Sequence, residues 1–186
     1  MISIFKEANA ELLLEDNYSC PEDLFQTLLS QTPWVQNDIQ VFGKEHKEPR
    51  LTMWYGPPYR YSNIHWPEAK LPLYLKLIME DLSSKLQFDF NSVLLNYYRT
   101  GSDSMGWHSD NEKEIDATMI ASLSLGGTRK MQFRSKQNNQ KAEVLLHHNS
   151  LLVMKEFQSD WQHAIPKSKT LGEPRINLTF RRIIQP

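Results

Sequence analysis

The sequence contains a single cysteine, Cys20, among its 186 residues. One thiol cannot form a disulfide within the chain, and zinc sites built from cysteine pairs are excluded as well. No apolar run approaches the roughly 18 residues that a membrane-spanning helix needs. Glu7 and Glu11 interrupt the apolar stretch that a secretory signal would require near the start. These absences predict a protein without a membrane partner that works in the cytoplasm, or in the nucleus of a eukaryote.

Charge of one sign is also lacking, because 21 basic and 22 acidic residues leave a net charge of −1. That balance excludes a generic polybasic nucleic-acid binder. The distribution is uneven, however: residues 1–30 have one lysine and six acidic residues, whereas residues 111–186 have twelve basic and seven acidic ones. A basic cluster in the second region comprises Arg129, Lys130, Arg134, Lys136 and Lys141. It is either a solvated hairpin or an edge that faces phosphates.

The length and the hydrophobic content of 40% predict one globular domain over residues 1–186. Apolar spacing predicts helices near residues 21–30 and 72–86. From residue 90 onward the pattern changes to strands, predicted at 93–98, 118–125, 129–134, 142–147, 150–154 and 175–184. The fold class is therefore mainly β with flanking helices (α+β), with strands arranged as a jelly roll. The acidic N-terminal helices are expected to cover one sheet.

The last predicted strand alternates strictly between apolar and polar residues. Successive side chains of a strand point to opposite faces, so Ile176, Leu178 and Phe180 share one side. The other side has a donor-rich set: Arg175, Asn177, Thr179 and Arg181. Such a face is either the solvated side of an ordinary amphipathic strand or a site for a small dianion inside a barrel.

A candidate metal site begins at His108-Ser109-Asp110, where an imidazole and a carboxylate project to the same side of an extended segment. His163 is the best candidate for a third ligand. Two histidines and one carboxylate form the facial triad of non-haem Fe(II) oxygenases. An isolated H-x-D tripeptide is weak evidence, but here it occurs with a later histidine and an arginine-bearing strand. The remaining histidines, His46, His65, His147 and His148, are interpreted as structural or surface residues.

Several stretches resemble the AlkB family of Fe(II)/2-oxoglutarate-dependent nucleic-acid demethylases, and together they cover most of the chain. They are 96–98, 107–112, 121–126, 160–163 and 173–181, with 49–56 and 59–62 upstream. The resemblance implies a double-stranded β-helix dioxygenase core at 90–184, preceded at 1–89 by helices and a nucleotide-recognition lid. It places Fe(II) on His108, Asp110 and His163. It assigns 2-oxoglutarate, used together with O₂, to Arg175, Asn96, Tyr98, Asn177, Thr179 and Arg181.

The resemblance also implies a substrate: DNA or RNA bases of the 1-methyladenine and 3-methylcytosine type, with release of formaldehyde. The lid residues Trp54, Tyr55, Tyr59, Arg60 and Tyr61 are expected to contact an extruded base, and Arg134 its backbone. Residues 41–44 resemble a finger that wedges into duplexes, which singles out Phe42, Gly43 and Lys44. Trp107 is interpreted as a packing residue.

Asn111 departs from the family pattern, because several repair members have a second acid at this position. A carboxylate would favour cationic methylated bases, whereas Asn111 offers a neutral amide. The preferred lesion therefore stays open, as do single- against double-stranded and DNA against RNA substrates. Other readings are a demethylase of RNA or protein and a non-catalytic nucleic-acid-binding module. The chain is expected to be a monomer.

Overall fold

A β-rich core flanked by helices makes up the part of the chain that this computed structural model describes, residues 1–41, 43–61, 64–169 and 172–184. The side chains of Val41 and Tyr61 lie outside that description. The helices in these ranges are α1 (Leu24–Gln31) and α2 (Leu73–Leu86). Among the described residues, neither helix combines the length and the apolarity that crossing a bilayer requires.

The strands alternate along the chain with these helices. The first half contains β1 (Ile2–Glu7), β2 (Ala10–Glu15), β3 (Asp38–Val41), β4 (Lys44–Lys47), β5 (Leu51–Tyr55), β6 (Tyr59–Tyr61) and β7 (Ile64–Trp66). The second half contains β8 (Ser92–Tyr98), β9 (Met105–His108), β10 (Met119–Gly126), β11 (Arg129–Ser135), β12 (Lys141–Leu146), β13 (Ser150–Lys155), β14 (Trp161–Ile165) and β15 (Arg175–Arg181). The six strands and two helices that the sequence predicted are all confirmed, with ends shifted by up to three residues.

The described strands form two main antiparallel sheets and two small hairpins. The major sheet has the order β1-β2-β13-β10-β15-β8-β5, and the minor sheet has the order β12-β11-β14-β9. The crossed strand order and the antiparallel pairing confirm the predicted jelly roll. The strands β1, β2 and β5 precede residue 90 and still join the major sheet, so the first half contributes strands to the core as well as helices.

Two apolar clusters hold the layers together. One lies between the two sheets and includes Leu152 of the major sheet and Phe133 of the minor sheet. The other lies on the outer face of the major sheet, where Leu28 of α1 and Leu82 of α2 pack against Leu178 of β15. This confirms that the helices cover one sheet. The inner face of the major sheet is left to line the interior of the sandwich.

The strand β15 shows how this arrangement produces a polar interior. Ile176, Leu178 and Phe180 belong to the outer cluster under the helices, as the alternation predicted. The alternate residues of β15 therefore point between the sheets. The neighbouring strands place further polar residues beside them, because Asn96 of β8 and Ser124 of β10 both pair with Asn177. A row of polar side chains thus crosses an otherwise apolar core.

Candidate active site

Three candidate metal ligands meet at one end of the minor sheet. His108 is the last residue of β9, Asp110 follows two residues later, and His163 lies in β14, where it pairs directly with His108. The two imidazole rings have centroids 4.2 Å apart. One ligand atom from each residue lies within 4.8 Å of the others. The structure thus brings together all three residues of the predicted triad.

Hydrogen bonds orient two of these ligands, His108 and Asp110. The Nδ1 of His108 is 2.9 Å from the carbonyl oxygen of Gly106, which turns Nε2 toward the other ligands. Arg181 donates Nη2 to Asp110 Oδ1 at 2.6 Å. The second carboxylate oxygen, Oδ2, is 3.7 Å from His163 Nε2. Partners of this kind are a usual feature of metal sites, where they set the direction and basicity of the ligands.

The electrostatics keep the three residues in the form that binds a cation. Burial and the neighbouring His108 lower the pKa of His163 to about 3. Burial also lowers the pKa of His108. For Asp110, burial acts to raise the pKa, but the charges of Arg181 and the histidines outweigh it and lower the pKa below its usual range. At neutral pH the site therefore has two neutral imidazoles and one carboxylate.

A cavity extends from the triad into the polar interior, and we call it the inner cavity. Its lining includes His108, Asp110, His163, Asn96, Tyr98, Ser122, Asn177, Thr179 and Arg181, together with Leu94 and Met131. Asn177 donates Nδ2 to Ser122 Oγ and accepts from the Thr179 hydroxyl, so it is held in place by the sheet. Five of the six residues predicted for 2-oxoglutarate thus line one cavity with the triad.

Arg175, the sixth of these residues, is fully buried beside Tyr98. Its guanidinium carbon lies 5.2 Å from the centroid of the Tyr98 ring, and Nη2 donates to Ser124 Oγ. Burial lowers the pKa of Arg175 to about 10, which leaves the group charged at neutral pH. Its Nε and Nη1 are buried and have no hydrogen-bond partner among the described residues. A buried cation with unused donors is suited to an anionic ligand.

A glycine at the end of β10 makes the position of Arg175 possible. Gly126 has φ +84°, and a Cβ there would lie 2.3 Å from the carbonyl oxygen of Pro174, the residue before Arg175. We expect Gly126→Ala to lower the free energy of unfolding by more than about 1 kcal/mol. Because Pro174 must move, the affinity for 2-oxoglutarate should fall too. Chemical denaturation measures the first effect.

Gly106→Ala is the matched control for stability, since a Cβ at Gly106 would meet no atom within 4 Å. Equal stability of the two alanine variants would contradict the close contact inferred between Gly126 and Pro174.

Three of the four aromatic residues predicted to stack on a base, Trp54, Tyr55 and Tyr59, are instead core residues. Trp54 is 0% exposed, and its ring stacks on Tyr59 with centroids 4.7 Å apart. Tyr55 is buried on the opposite face of β5, under the helices. This corrects the prediction that Trp54, Tyr55 and Tyr59 offer flat surfaces to a substrate. The physical reason is that Trp54 and Tyr55 are consecutive residues of a strand in the major sheet and so face its two apolar layers, while Tyr59 of the β6–β7 hairpin packs on Trp54.

The other predicted substrate residues lie at the surface. Gly43, Lys44, Arg60, Asn111 and Arg134 are exposed. Gly43 adopts φ +74° between β3 and β4, as a tight hairpin turn requires. Phe42 and the side chain of Tyr61 lie outside the described residues.

The basic cluster is only partly available to a ligand. Arg129 is buried and donates to the carbonyl oxygens of Thr100, Asp103 and Pro166. Lys136 donates to two backbone carbonyl oxygens, and Lys130 donates to the carboxylate of Glu143. The cluster lies on the hairpin of β11 and β12, and Arg134 and Lys141 are the exposed cations that remain for a phosphate.

Trp107 was interpreted as packing, and this prediction is wrong. Its side chain is 37% exposed, and the guanidinium of Arg134 lies over the ring at 4.5 Å from the centroid.

Several site residues were not found from the sequence. Ser122 and Ser124 contact the predicted anion pocket, and their alternation with apolar residues in β10 was a usable signal. Arg50 is buried, donates Nε to Asn96 Oδ1 and forms an ion pair with Glu48 at 2.9 Å. Glu112 is partly buried, and burial together with the charge of Asp110 raises its pKa. No periodic pattern marked Arg50 or Glu112.

The donor set fits an iron centre with a bound dicarboxylate. Asp110 Oδ2 and His163 Nδ1 are buried and, within the described ranges, lack hydrogen-bond partners, as do two nitrogens of Arg175. Buried polar atoms are rarely left unpaired unless a ligand or ion satisfies them. The facial triad leaves coordination positions open. The geometry therefore defines the site of a 2-oxoglutarate- and Fe(II)-dependent oxygenase.

Comparison with known proteins agrees with this assignment of the site. Residues 19–181 match the family model described as "2OG-Fe(II) oxygenase superfamily". Alpha-ketoglutarate-dependent dioxygenase alkB homolog 3 of Bos taurus is 37% identical over 180 residues, which cover 87% of this chain and 61% of that protein. DNA oxidative demethylase ALKBH2 of Homo sapiens is 34% identical, covering 88% of this chain and 69% of that protein. The chain therefore belongs to the AlkB family of this superfamily.

Two further findings qualify the comparison. The chain spans about 60% of the length of the alkB homolog 3 proteins. For the Homo sapiens protein the matched part covers 60% of its length and is 36% identical. The solved structure of OsALKBH1 superposes with a TM-score of 0.69 at 16% identity, covering 97% of this chain and 100% of that one. At that identity the likeness concerns the fold alone, and it agrees with the jelly roll.

Proposed function

We propose that this protein removes methyl groups oxidatively from N-alkylated bases of nucleic acid, with DNA favoured as the substrate. The observation that carries the proposal is the His108–Asp110–His163 triad at the mouth of a cavity with a polar interior. Membership in the AlkB family supports the same chemistry, since its relatives include a protein named DNA oxidative demethylase. The proposed outcome is loss of the methyl group as formaldehyde, with repair of the base.

The protein's own residues have separate roles in this proposal. His108, Asp110 and His163 hold Fe(II), which together with 2-oxoglutarate and O₂ supplies the oxidising chemistry. Arg181 holds Asp110 Oδ1, so that the carboxylate presents its other oxygen. Arg175 provides a buried positive charge for the distal carboxylate of 2-oxoglutarate, and Asn96, Tyr98 and Thr179 line its pocket. The apolar side chains Leu94 and Met131 exclude water from the cavity.

A second cavity, the outer cavity, provides the entrance for a base. It is lined by Arg50, Met105, Trp107 and His108, and it meets the inner cavity because Met105 and His108 line both. A base inside a duplex is out of reach of such an entrance and must be extruded first. The rings of Trp54, Tyr55 and Tyr59 are packed into the core and are not among the groups that line this entrance.

Two residues that follow Asp110 bear on the lesion preference. Asn111 is exposed and neutral. The carboxyl group of Glu112 is partly buried, and burial together with the charge of Asp110 raises its pKa, which favours the neutral acid. Glu112 is also not among the residues that line the inner or the outer cavity. The expected lesions, 1-methyladenine and 3-methylcytosine, therefore follow from membership in the AlkB family and not from a negative charge at these two positions.

A substrate panel tests the proposal. The protein, loaded with Fe(II) and 2-oxoglutarate, is incubated with matched DNA and RNA oligonucleotides that contain 1-methyladenine or 3-methylcytosine, single- and double-stranded. Mass spectrometry should show loss of one methyl group from at least one nucleic acid of the panel. Oligonucleotides without the methyl group are the control. No loss from any member, with the iron shown to be bound, would contradict the proposal.

The oligomeric state, the domain organisation and the cellular location stay predictions. We propose that the chain is a monomer that folds as one domain and works in the cytoplasm or nucleus. A protein substrate is disfavoured because an exposed indole and an exposed guanidinium lie next to the entrance, and such groups suit nucleobases and phosphates.

A further inference from the structure

Trp107 occupies the boundary between the entrance and the outer face of the minor sheet. It precedes the metal ligand His108, so the two side chains point to opposite sides of β9. The indole lines the outer cavity next to His108 and also a groove on the other side, which contains Gln132 and Lys141. A strand whose base enters the outer cavity must cross this indole to reach the groove.

The groove next to Trp107 is positively charged. Arg134 lies over the indole and donates Nε to the Gln162 amide oxygen, a neutral acceptor that leaves the guanidinium charge in place. Lys141 lies on the adjacent strand β12, directly opposite Arg134 in the strand register, and its side chain is exposed as well. The acidic residue of the groove, Glu143, is neutralised by Lys130 at 2.7 Å. The groove thus combines a flat aromatic surface with two cations.

We propose that Trp107 and Arg134 form a stacking platform for the nucleotide next to the extruded base in a single-stranded nucleic acid. In this arrangement Lys141 faces the phosphate beyond it. The inference rests on the proposed function and adds a subsite to it. Indole and guanidinium planes both stack on any base, so the platform does not select a sequence.

The charge of the groove and its position beside the outer cavity indicate which ligand it binds. The groove has excess positive charge, which complements a phosphate backbone, and it adjoins the cavity through which the base enters. In a duplex the neighbouring base already stacks on its own helix, so it gains little from an external aromatic surface. In a single strand that base is exposed, and stacking on Trp107 replaces its contact with water. The structure of the groove therefore favours single strands.

The test uses two measurements. The first is the affinity for a labelled single-stranded pentanucleotide that contains 1-methyladenine, and the second is the ability of the methylated mononucleotide to displace it. The anaerobic protein with Fe(II) and 2-oxoglutarate is used, so that no turnover occurs. Trp107→Ala should bind the pentanucleotide about tenfold more weakly, while Trp107→Phe retains most of the affinity. Competition by the mononucleotide should change much less than binding of the pentanucleotide, because the mononucleotide meets Trp107 only at the outer cavity and does not reach the groove.

Charge variants give an independent readout. Arg134→Gln should weaken binding of the pentanucleotide and reduce its salt dependence. Lys76→Gln is the control: it removes one exposed charge from α2, the helix that covers the outer face of the major sheet, away from the groove. Leu145→Ala is the control for Trp107, as it truncates an exposed apolar residue of the adjacent strand β12.

The outcomes separate this inference from the proposed function. If Trp107→Ala and the wild type bind the pentanucleotide equally while the wild type demethylates it, the platform is refuted and the function stands. If Trp107→Ala also lost the same factor of affinity for a long duplex that carries the same lesion, the assignment to single strands would be refuted. If the wild type neither binds nor demethylates any methylated nucleic acid, both proposals fall.

Discussion

Replacing Asp110 by asparagine is expected to abolish demethylation, lowering turnover by more than about 100-fold. The substitution keeps the shape of the side chain but removes the negative charge that the two neutral histidines cannot supply. It also removes the buried negative charge that Arg181 contacts, since Arg181 Nη2 donates to Asp110 Oδ1 at 2.6 Å. Loss of a buried ion-pair partner typically lowers the free energy of unfolding by about 3–5 kcal/mol. Steady-state formaldehyde release and chemical denaturation measure the two effects.

Asp103→Asn controls for a general loss of stability. Asp103 is also a buried acid, and it pairs with Arg99 at 2.8 Å, outside the inner cavity. This variant should be less stable than the wild type yet still bind iron and turn over. Wild-type activity of Asp110→Asn, or equal inactivation of both variants, would show that the triad assignment is incorrect.

The second large effect is expected for Arg175→Gln, which should raise the KM for 2-oxoglutarate by about 100-fold. The reason is that the Arg175 guanidinium is buried and charged, with two nitrogens that have no partner within the described part of the chain. Arg175→Lys should give an intermediate KM, because it keeps the charge but lacks the planar fork. Succinate formation as a function of 2-oxoglutarate concentration measures both.

Arg182→Gln is the matched control for this series, since Arg182 lies on the same C-terminal segment and is paired with Asp116 at 3.9 Å. Its KM for 2-oxoglutarate should equal that of the wild type. If Arg175→Gln also left this KM unchanged, the distal carboxylate would have to bind elsewhere.

The polar side of β15 was predictable from the sequence because alternation is a local property of a strand. The pattern from Arg175 to Arg181 placed four polar residues on one face, and the paired strands β8 and β10 confirm it. A local sequence pattern does not show which distant residue each of these side chains contacts. Arg181 contacts the metal ligand Asp110, and this contact joins residues 71 positions apart in the chain.

The aromatic residues were the least predictable part. Trp54 and Trp107 both lie in short strands, yet the first is fully buried and the second is exposed. The difference depends on the sheet to which each strand belongs. β5 lies at the edge of the major sheet, between two apolar layers, whereas β9 lies at the edge of the minor sheet, whose outer face is open. Composition alone does not distinguish the two positions.

The measurement that tests the central claim most directly is a single turnover started by oxygen. The protein is mixed without O₂ with Fe(II), 2-oxoglutarate and an oligonucleotide containing 1-methyladenine, and O₂ is then added. The account predicts that each methyl group lost from the oligonucleotide yields one formaldehyde and one succinate. Succinate formed without loss of methyl groups from the oligonucleotide, or methyl loss without succinate, would contradict it.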